Sequence, residues 1–315
     1  MRRRVLALVL TVSSAGAFVA CGSRTGLLGG TAALPVDEEP DGAPGDPDAL
    51  PPLDGAPKVD VVRNDCPDAD ATLVYVVTEN AELFSFYPPA AQFTHIGTLV
   101  CPAPVGSTPF SMAVDRKGIA YVLYQGTLGE NAGIYRVSTA TAACTRTAFD
   151  PSSLGFGTFG MGFSTDQGGP AETLYIAGDG RTGSGFGGLG SIDLTTFKAT
   201  RLRDFQPSIE RAELTGTGAG DLYAFYSGPF ETASFVGQID KATARVVAEN
   251  ELTSVSQGQG WAFAFWGGDF WLFTSPTGGA SFVTQYRPSD KSTKVVATLG
   301  NVVVGAGVST CAPSQ

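Results

Sequence analysis

"VGAGVST", Val304 to Thr310, is a strand of alternating small and larger residues near the end of the chain, with no partner strand beside it in sequence. Four similar strands occur earlier: "FSMAV" (110–114), "FGMGF" (159–163), "RAELT" (211–215) and "WAFAF" (261–265). Each is followed by an apolar strand with a central aromatic: "IAYVL" at Tyr121, "TLYIA" at Tyr175, "DLYAF" at Tyr223 and "DFWLF" at Trp271. A fifth aromatic strand, "LVYVV" at Tyr75, comes first and has no small-residue strand ahead of it. The unpaired strand at one end and the incomplete unit at the other are two parts of one repeat.

The aromatic markers are spaced by 46, 54, 48 and 48 residues. Behind each lies a third strand ("ELFSFY", "GIYRVS", "LGSIDL", "VGQIDK", "FVTQYR") and, after a turn, a fourth ("THIGTL", "CTRTAF", "ATRLRDF", "ARVVAE", "TKVVATL"). Four short antiparallel strands per unit at this period describe a β-propeller blade. The sequence therefore predicts an all-β, five-bladed β-propeller over residues 66–315, closed by a C-terminal strand that completes the first blade. Such closure leaves no open sheet edge on the ring. A six-bladed propeller and a sandwich are the alternatives, and neither explains the displaced strand as directly. Aligned on their small residues, the inner strands stack Ser111, Gly160, Ala212, Ala262 and Gly305, then Ala113, Gly162, Ala264 and Gly307. Leu214 is the exception in the second column. The expectation is that these columns face the crowded axis.

Composition agrees with a turn-rich β protein: 41 of 315 residues are glycine and 16% are charged. A net charge of −10 with 20 Lys plus Arg argues against nucleic acid as a partner. The chain begins "MRRRVLALVLTVSSAGAFVAC", a basic stretch and then an apolar run too short to span a bilayer comfortably, which reads as an export signal over 1–20. "FVAC", Phe18 to Cys21, resembles the lipobox of bacterial lipoproteins, with Phe18 where leucine is usual. The resemblance implies cleavage before Cys21 and lipidation of that cysteine, taking the net charge from −10 to −13 through the loss of three arginines. Gly22, in place of the aspartate that marks inner-membrane retention in such lipoproteins, implies the outer membrane. Residues 21–65, rich in Pro, Gly, Ala and Asp, cannot bury enough apolar surface to fold and read as a disordered tether. The only membrane contact expected is through the lipid.

Cys66, Cys101, Cys144 and Cys311 remain, an even set that suggests two disulfides in an exported protein. Topology favours Cys66–Cys311, locking the closure, with Cys101–Cys144 linking the first two blades. No close cysteine pair and a single histidine, His95, predict no metal site and no cofactor. His95 falls in an outer strand and reads as an edge residue. "NDCPDAD" (64–70) lacks the glycine and distal glutamate of a calcium loop. The formal G-x-G-x-x-G from Gly183 to Gly188 runs into a strand, where the dinucleotide fingerprint needs a helix, so it reads as a loop.

No catalytic residues are predicted. Glu213 is the acid of interest, on an inner strand at a position assigned to Met112, Met161, Phe263 and Ala306 elsewhere; it either bonds neighbouring amides or contacts a ligand. By analogy with propellers in general, ligands sit at the mouth of the ring, and the candidates there are Phe110, Phe159, Arg211, Trp261, Asp179, Arg181, Tyr226 and Glu231. Of the three tryptophans, Trp271 reads as core and Trp266 as turn, leaving Trp261 at the mouth. The chain resembles bacterial cell-envelope lipoproteins that carry a β-propeller repeat domain. That resemblance implies a monomeric, non-catalytic binding or scaffold module for an envelope protein or glycan. A lectin-like propeller, or a glycosidase- or lactonase-like hydrolase, is the alternative. For the hydrolase, Glu210 and Glu213 are the only acids in reach, both on one strand.

Overall fold

Val303–Val308 pairs antiparallel with Val74–Thr78 from the other end of the chain, with Tyr75 opposite Gly307. This is seen in a computed structural model that describes residues 73–314 apart from 153–154, 156, 167–169, 181–185 and 229–232. The export signal, Cys21, the tether, Cys66 and "NDCPDAD" lie outside the described residues, as do Arg181 and Glu231.

The described residues form five four-stranded antiparallel sheets, each a blade. Blade 1 contains β1 (Val74–Thr78), β2 (Glu82–Tyr87) and β3 (Gln92–Thr98), and blade 2 contains β4 (Thr108–Val114), β5 (Ile119–Gln125), β6 (Asn131–Ser138) and β7 (Cys144–Arg146). Blade 3 contains β8 (Phe159–Thr165), β9 (Glu172–Gly178), β10 (Gly188–Ile192) and β11 (Ala199–Asp204). Blade 4 contains β12 (Ala212–Gly216), β13 (Leu222–Ser227), β14 (Ser234–Ile239) and β15 (Val246–Leu252). Blade 5 contains β16 (Gly260–Trp266), β17 (Asp269–Ser275), β18 (Ser281–Arg287) and β19 (Ser292–Leu299). Blade 1 is completed by β20 (Val303–Val308), so the ring has five blades rather than six, closed as the displaced strand predicts. The innermost strands touch in the cyclic order β4, β8, β12, β16, β20 and back to β4.

The core is distributed. Five clusters of buried side chains lie one at each boundary between neighbouring blades. The aromatic markers belong to them: Tyr121 meets Phe163 of the next blade at 5.8 Å between ring centroids, and Trp271 meets Phe86 at 5.6 Å. Burial on both faces explains why these strands are almost continuously apolar, as in "VYVVT" and "IAYVLYQ". The polar outer strands, such as "VVAENEL", border solvent. Outer hairpins turn on aspartates: Asp193 accepts the N–H groups of Thr195 and Thr196, and Asp240 those of Ala242 and Thr243.

The small columns face crowding between converging inner strands. A Cβ on Gly160 would lie 2.0 Å from the Ala212 carbonyl oxygen, and one on Gly305 would lie 2.7 Å from the Met112 nitrogen. Small residues are required because the backbone of the next inner strand occupies that space. The register of the fourth inner strand needs correction. Tyr121, Tyr175, Trp271 and Tyr75 pair with Ala113, Gly162, Ala264 and Gly307, whereas Tyr223 pairs with Thr215. Measured from the marker, Leu214 therefore aligns with Met112, Met161, Phe263 and Ala306. Glu213 takes the place of Ser111, Gly160, Ala262 and Gly305. The supposed exception at Leu214 disappears, and a glutamate stands in a column of small residues.

The Cys101–Cys144 disulfide is present, joining the segment after β3 to the start of β7. Cys311 is also disulfide-bonded; Cys66, its expected partner, lies outside the described residues.

Candidate functional site

Four of the residues expected at the mouth converge there. Arg211 precedes β12, and its guanidinium carbon lies 4.8 Å from the ring centre of Phe110 on β4 and 5.4 Å from that of Trp261 on β16. β4 and β12 are not neighbours in the ring, so the side chain reaches across the mouth to touch blade 2 while also meeting blade 5. Cation–π attraction favours this placement. Asp179, which follows β9 and is almost fully buried, faces Arg211 with 3.8 Å between Oδ2 and Nε. Backbone bonds hold the rim: Gly180 N–H donates to the Glu210 carbonyl at 2.8 Å, and Asp179 N–H to the Thr158 carbonyl at 3.1 Å.

Beside Arg211 and Trp261 lies a cavity of about 350 Å³ between blades 4 and 5. Its walls include Ser227, Ser254, Ser256 and Gln257, so it is lined with hydroxyl and amide groups. The loop that supplies Ser254, Ser256 and Gln257 is fixed by Ser234, whose hydroxyl donates to the Val255 carbonyl at 2.8 Å. Gly258 has a φ of +73°, and a Cβ there would lie 2.1 Å from the Ser275 carbonyl oxygen, so the tight path at this wall needs glycine. Gln257 is buried, and its Nε2 has no hydrogen-bond partner among the described residues. A buried amide with an unmet donor is costly unless something else accepts from it.

Other candidates lie elsewhere. Phe159 is fully buried against Phe149 in the boundary between blades 2 and 3. Tyr226 stacks on Phe235 and donates to Glu249 Oε2 at 2.5 Å, which places it toward the outside of its own blade. Glu210 is exposed on the rim. His95 pairs with Glu82 on the outer strand of blade 1, half-exposed.

Glu213 sits one step below the mouth, on the same face of its strand as Arg211. The Ser111 hydroxyl donates to its Oε2 at 2.7 Å and accepts the Met161 N–H at 3.0 Å. These groups come from β12, β4 and β8, so the carboxyl ties three blades together across the axis. Burial pushes its pKa up to about 8, against the opposing pull of the Ser111 hydrogen bond and the Arg211 charge. At neutral pH the carboxyl is largely protonated, which avoids an uncompensated charge inside the ring. The sequence did not single out the Ser- and Gln-bearing loop 253–258; its run of small polar residues, "TSVSQGQG", was the available signal.

No protein-family model and no curated protein matches the chain. Among solved structures, it is similar to regucalcin, a calcium-binding protein from Agrobacterium tumefaciens, at 17% identity and a TM-score of 0.37, covering 74% of each chain. It is also similar to a luciferin-regenerating enzyme at 11% identity and a TM-score of 0.41, covering 76% of this chain and 92% of that one. Likenesses this distant carry no functional weight here.

Proposed function

We propose that the propeller is a non-catalytic binding module whose ligand, a glycan or other polyhydroxylated molecule, sits at the mouth of the ring. Lipid on Cys21 and the 21–65 tether would hold it on the outer membrane of a bacterial envelope. The observation that carries the binding reading is Arg211, a cation held between aromatic rings of two blades and opening on a recessed, hydroxyl-lined cavity. Recessed sites of a few hundred Å³ with few convergent polar groups suit a small ring-shaped ligand better than a flat protein surface. Trp261 supplies a face for a sugar ring, and Gln257 supplies a buried donor that a hydroxyl could accept from. Hydrolysis is the less favoured reading, because Glu213 is engaged with Ser111 and does not line the cavity.

The test is a glycan array followed by calorimetry with any sugar that binds. Arg211→Ala and Trp261→Ala should each weaken binding by roughly tenfold or more, the scale of losing a desolvated cation or stacking contact. Unchanged affinity in both variants would remove the mouth from consideration. Turnover of the bound glycan that Glu213→Gln abolishes would overturn the non-catalytic reading.

A further inference from the structure

The opposite face of the ring has a groove of about 580 Å³ between blades 2 and 3. Lys117 from the β4–β5 turn, Arg136 from β6 and Arg146 from β7 all line it, and all three are exposed. Among the described residues none of these three has a carboxylate within ion-pairing distance. The chain has 20 basic against 30 acidic residues, so a concave surface gathering unpaired cations runs against its overall composition.

The acids nearby are buried and hydrogen-bonded, and Asp115 also feels the charges of Arg136 and Lys117. Asp115 accepts the N–H groups of Lys117 and Ile119, each at 2.9 Å, and the Tyr121 hydroxyl at 3.4 Å. Glu172 accepts the Arg116 N–H and the Thr310 hydroxyl, each at 2.8 Å, tying the turn of blade 2 to the segment after β20. Both carboxyls are buried, and burial raises both pKa values, that of Glu172 to about 7. Near neutral pH, Glu172 is therefore only partly ionised, and its negative charge does not fully cancel the field of the cations.

We propose that this groove is a second binding site, distinct from the mouth, for a small soluble molecule carrying a phosphate or sulfate group. Arginine presents a planar fork of donors that matches a tetrahedral oxyanion, and Lys117 adds a point charge from the facing turn. Thr145 and Thr195 add hydroxyls on the same walls. All three cations come from blade 2, and blade 3 supplies the opposite wall of the groove, including Thr195.

The experiment is calorimetric titration of the folded propeller with phenyl phosphate and with inorganic sulfate, at ionic strength held constant with chloride. Saturable one-to-one binding is expected, weakened at least about tenfold in the double variant Arg136→Gln, Arg146→Gln, the order expected for losing charge-assisted contacts. Lys117→Gln should weaken it separately, and Arg211→Ala at the mouth should leave it unchanged. These side chains are exposed, and circular dichroism and thermal melts would confirm that each variant keeps the fold. Binding that chloride competes away, that survives the double variant, or that is lost in Arg211→Ala would overturn the proposal. Binding only to vesicles of anionic lipid, and not to the soluble anions, would overturn it equally.

Discussion

Glu213 replaces a serine, an alanine and two glycines of the other blades, and it is the one long side chain in that column. Its contribution to stability has a definite sign. The folded-state pKa is raised from 4.5 to about 8, so this contribution is fully present below about pH 4.5 and is lost as pH rises through 8. Glu213→Gln keeps the shape and the acceptor for Ser111 but cannot titrate. Denaturant unfolding at pH 5, 6.5 and 8 should show the parent losing a few kcal/mol more than the variant over this span. Parallel curves would show that Glu213 ionises normally in the fold. Glu172 titrates in both proteins, so the difference isolates Glu213. That this residue reaches the axis was only half legible in the sequence. In "RAELT" either parity offers a small residue, Ala212 or Thr215, to the crowded side, and sorting by size chose the wrong one. Pairing with Tyr223 decides the matter, and pairing is a long-range property.

At the scale of strands, the tightest constraint is the approach of β8 to β12. Gly160→Val would place a side chain where the Ala212 carbonyl lies, and backbone cannot move aside as a flexible side chain can. We expect destabilisation of at least about 1–3 kcal/mol by chemical denaturation, the usual range for overpacking. Gly300→Ala, at a position with open space around it, should stay within about 0.5 kcal/mol. Equal effects would mean that the inner strands can part freely. Strand identity, order and closure were readable beforehand, because each blade repeats the same demand: an aromatic-centred strand buried on both faces behind a strand of small residues. The groove on the opposite face was not readable. Its cations come from a turn, a third strand and a short outer strand, positions 117, 136 and 146, and no periodicity links them. The Arg211 cluster was partly readable, since strand starts mark the mouth. The exclusion of Tyr226 and Phe159 from it depends on which way each ring packs, a property of the assembled blade.

For the whole molecule, the proposed lipid anchor makes a prediction independent of the ring. Cys21→Ser should move the protein from the membrane to the soluble fraction on cell fractionation, because several acyl chains hold a protein on a bilayer where a bare chain does not. Retention of the variant in the membrane fraction would mean that something other than acylation holds it. The ring has its own consequence in time. β1 is completed early in synthesis and pairs at once with β2, yet the strand that covers its other edge begins 225 positions after it ends, from Thr78 to Val303. At ribosomal rates of roughly 5–20 residues per second, a nascent chain carries that uncovered edge for roughly 10 to 45 s. Blades 2 to 5 can each complete four strands as they emerge, but blade 1 forms three and must wait for its fourth. Synthesis order therefore selects which blade is most open to chaperones, proteases and aggregation, and it is the blade on which the whole circle depends.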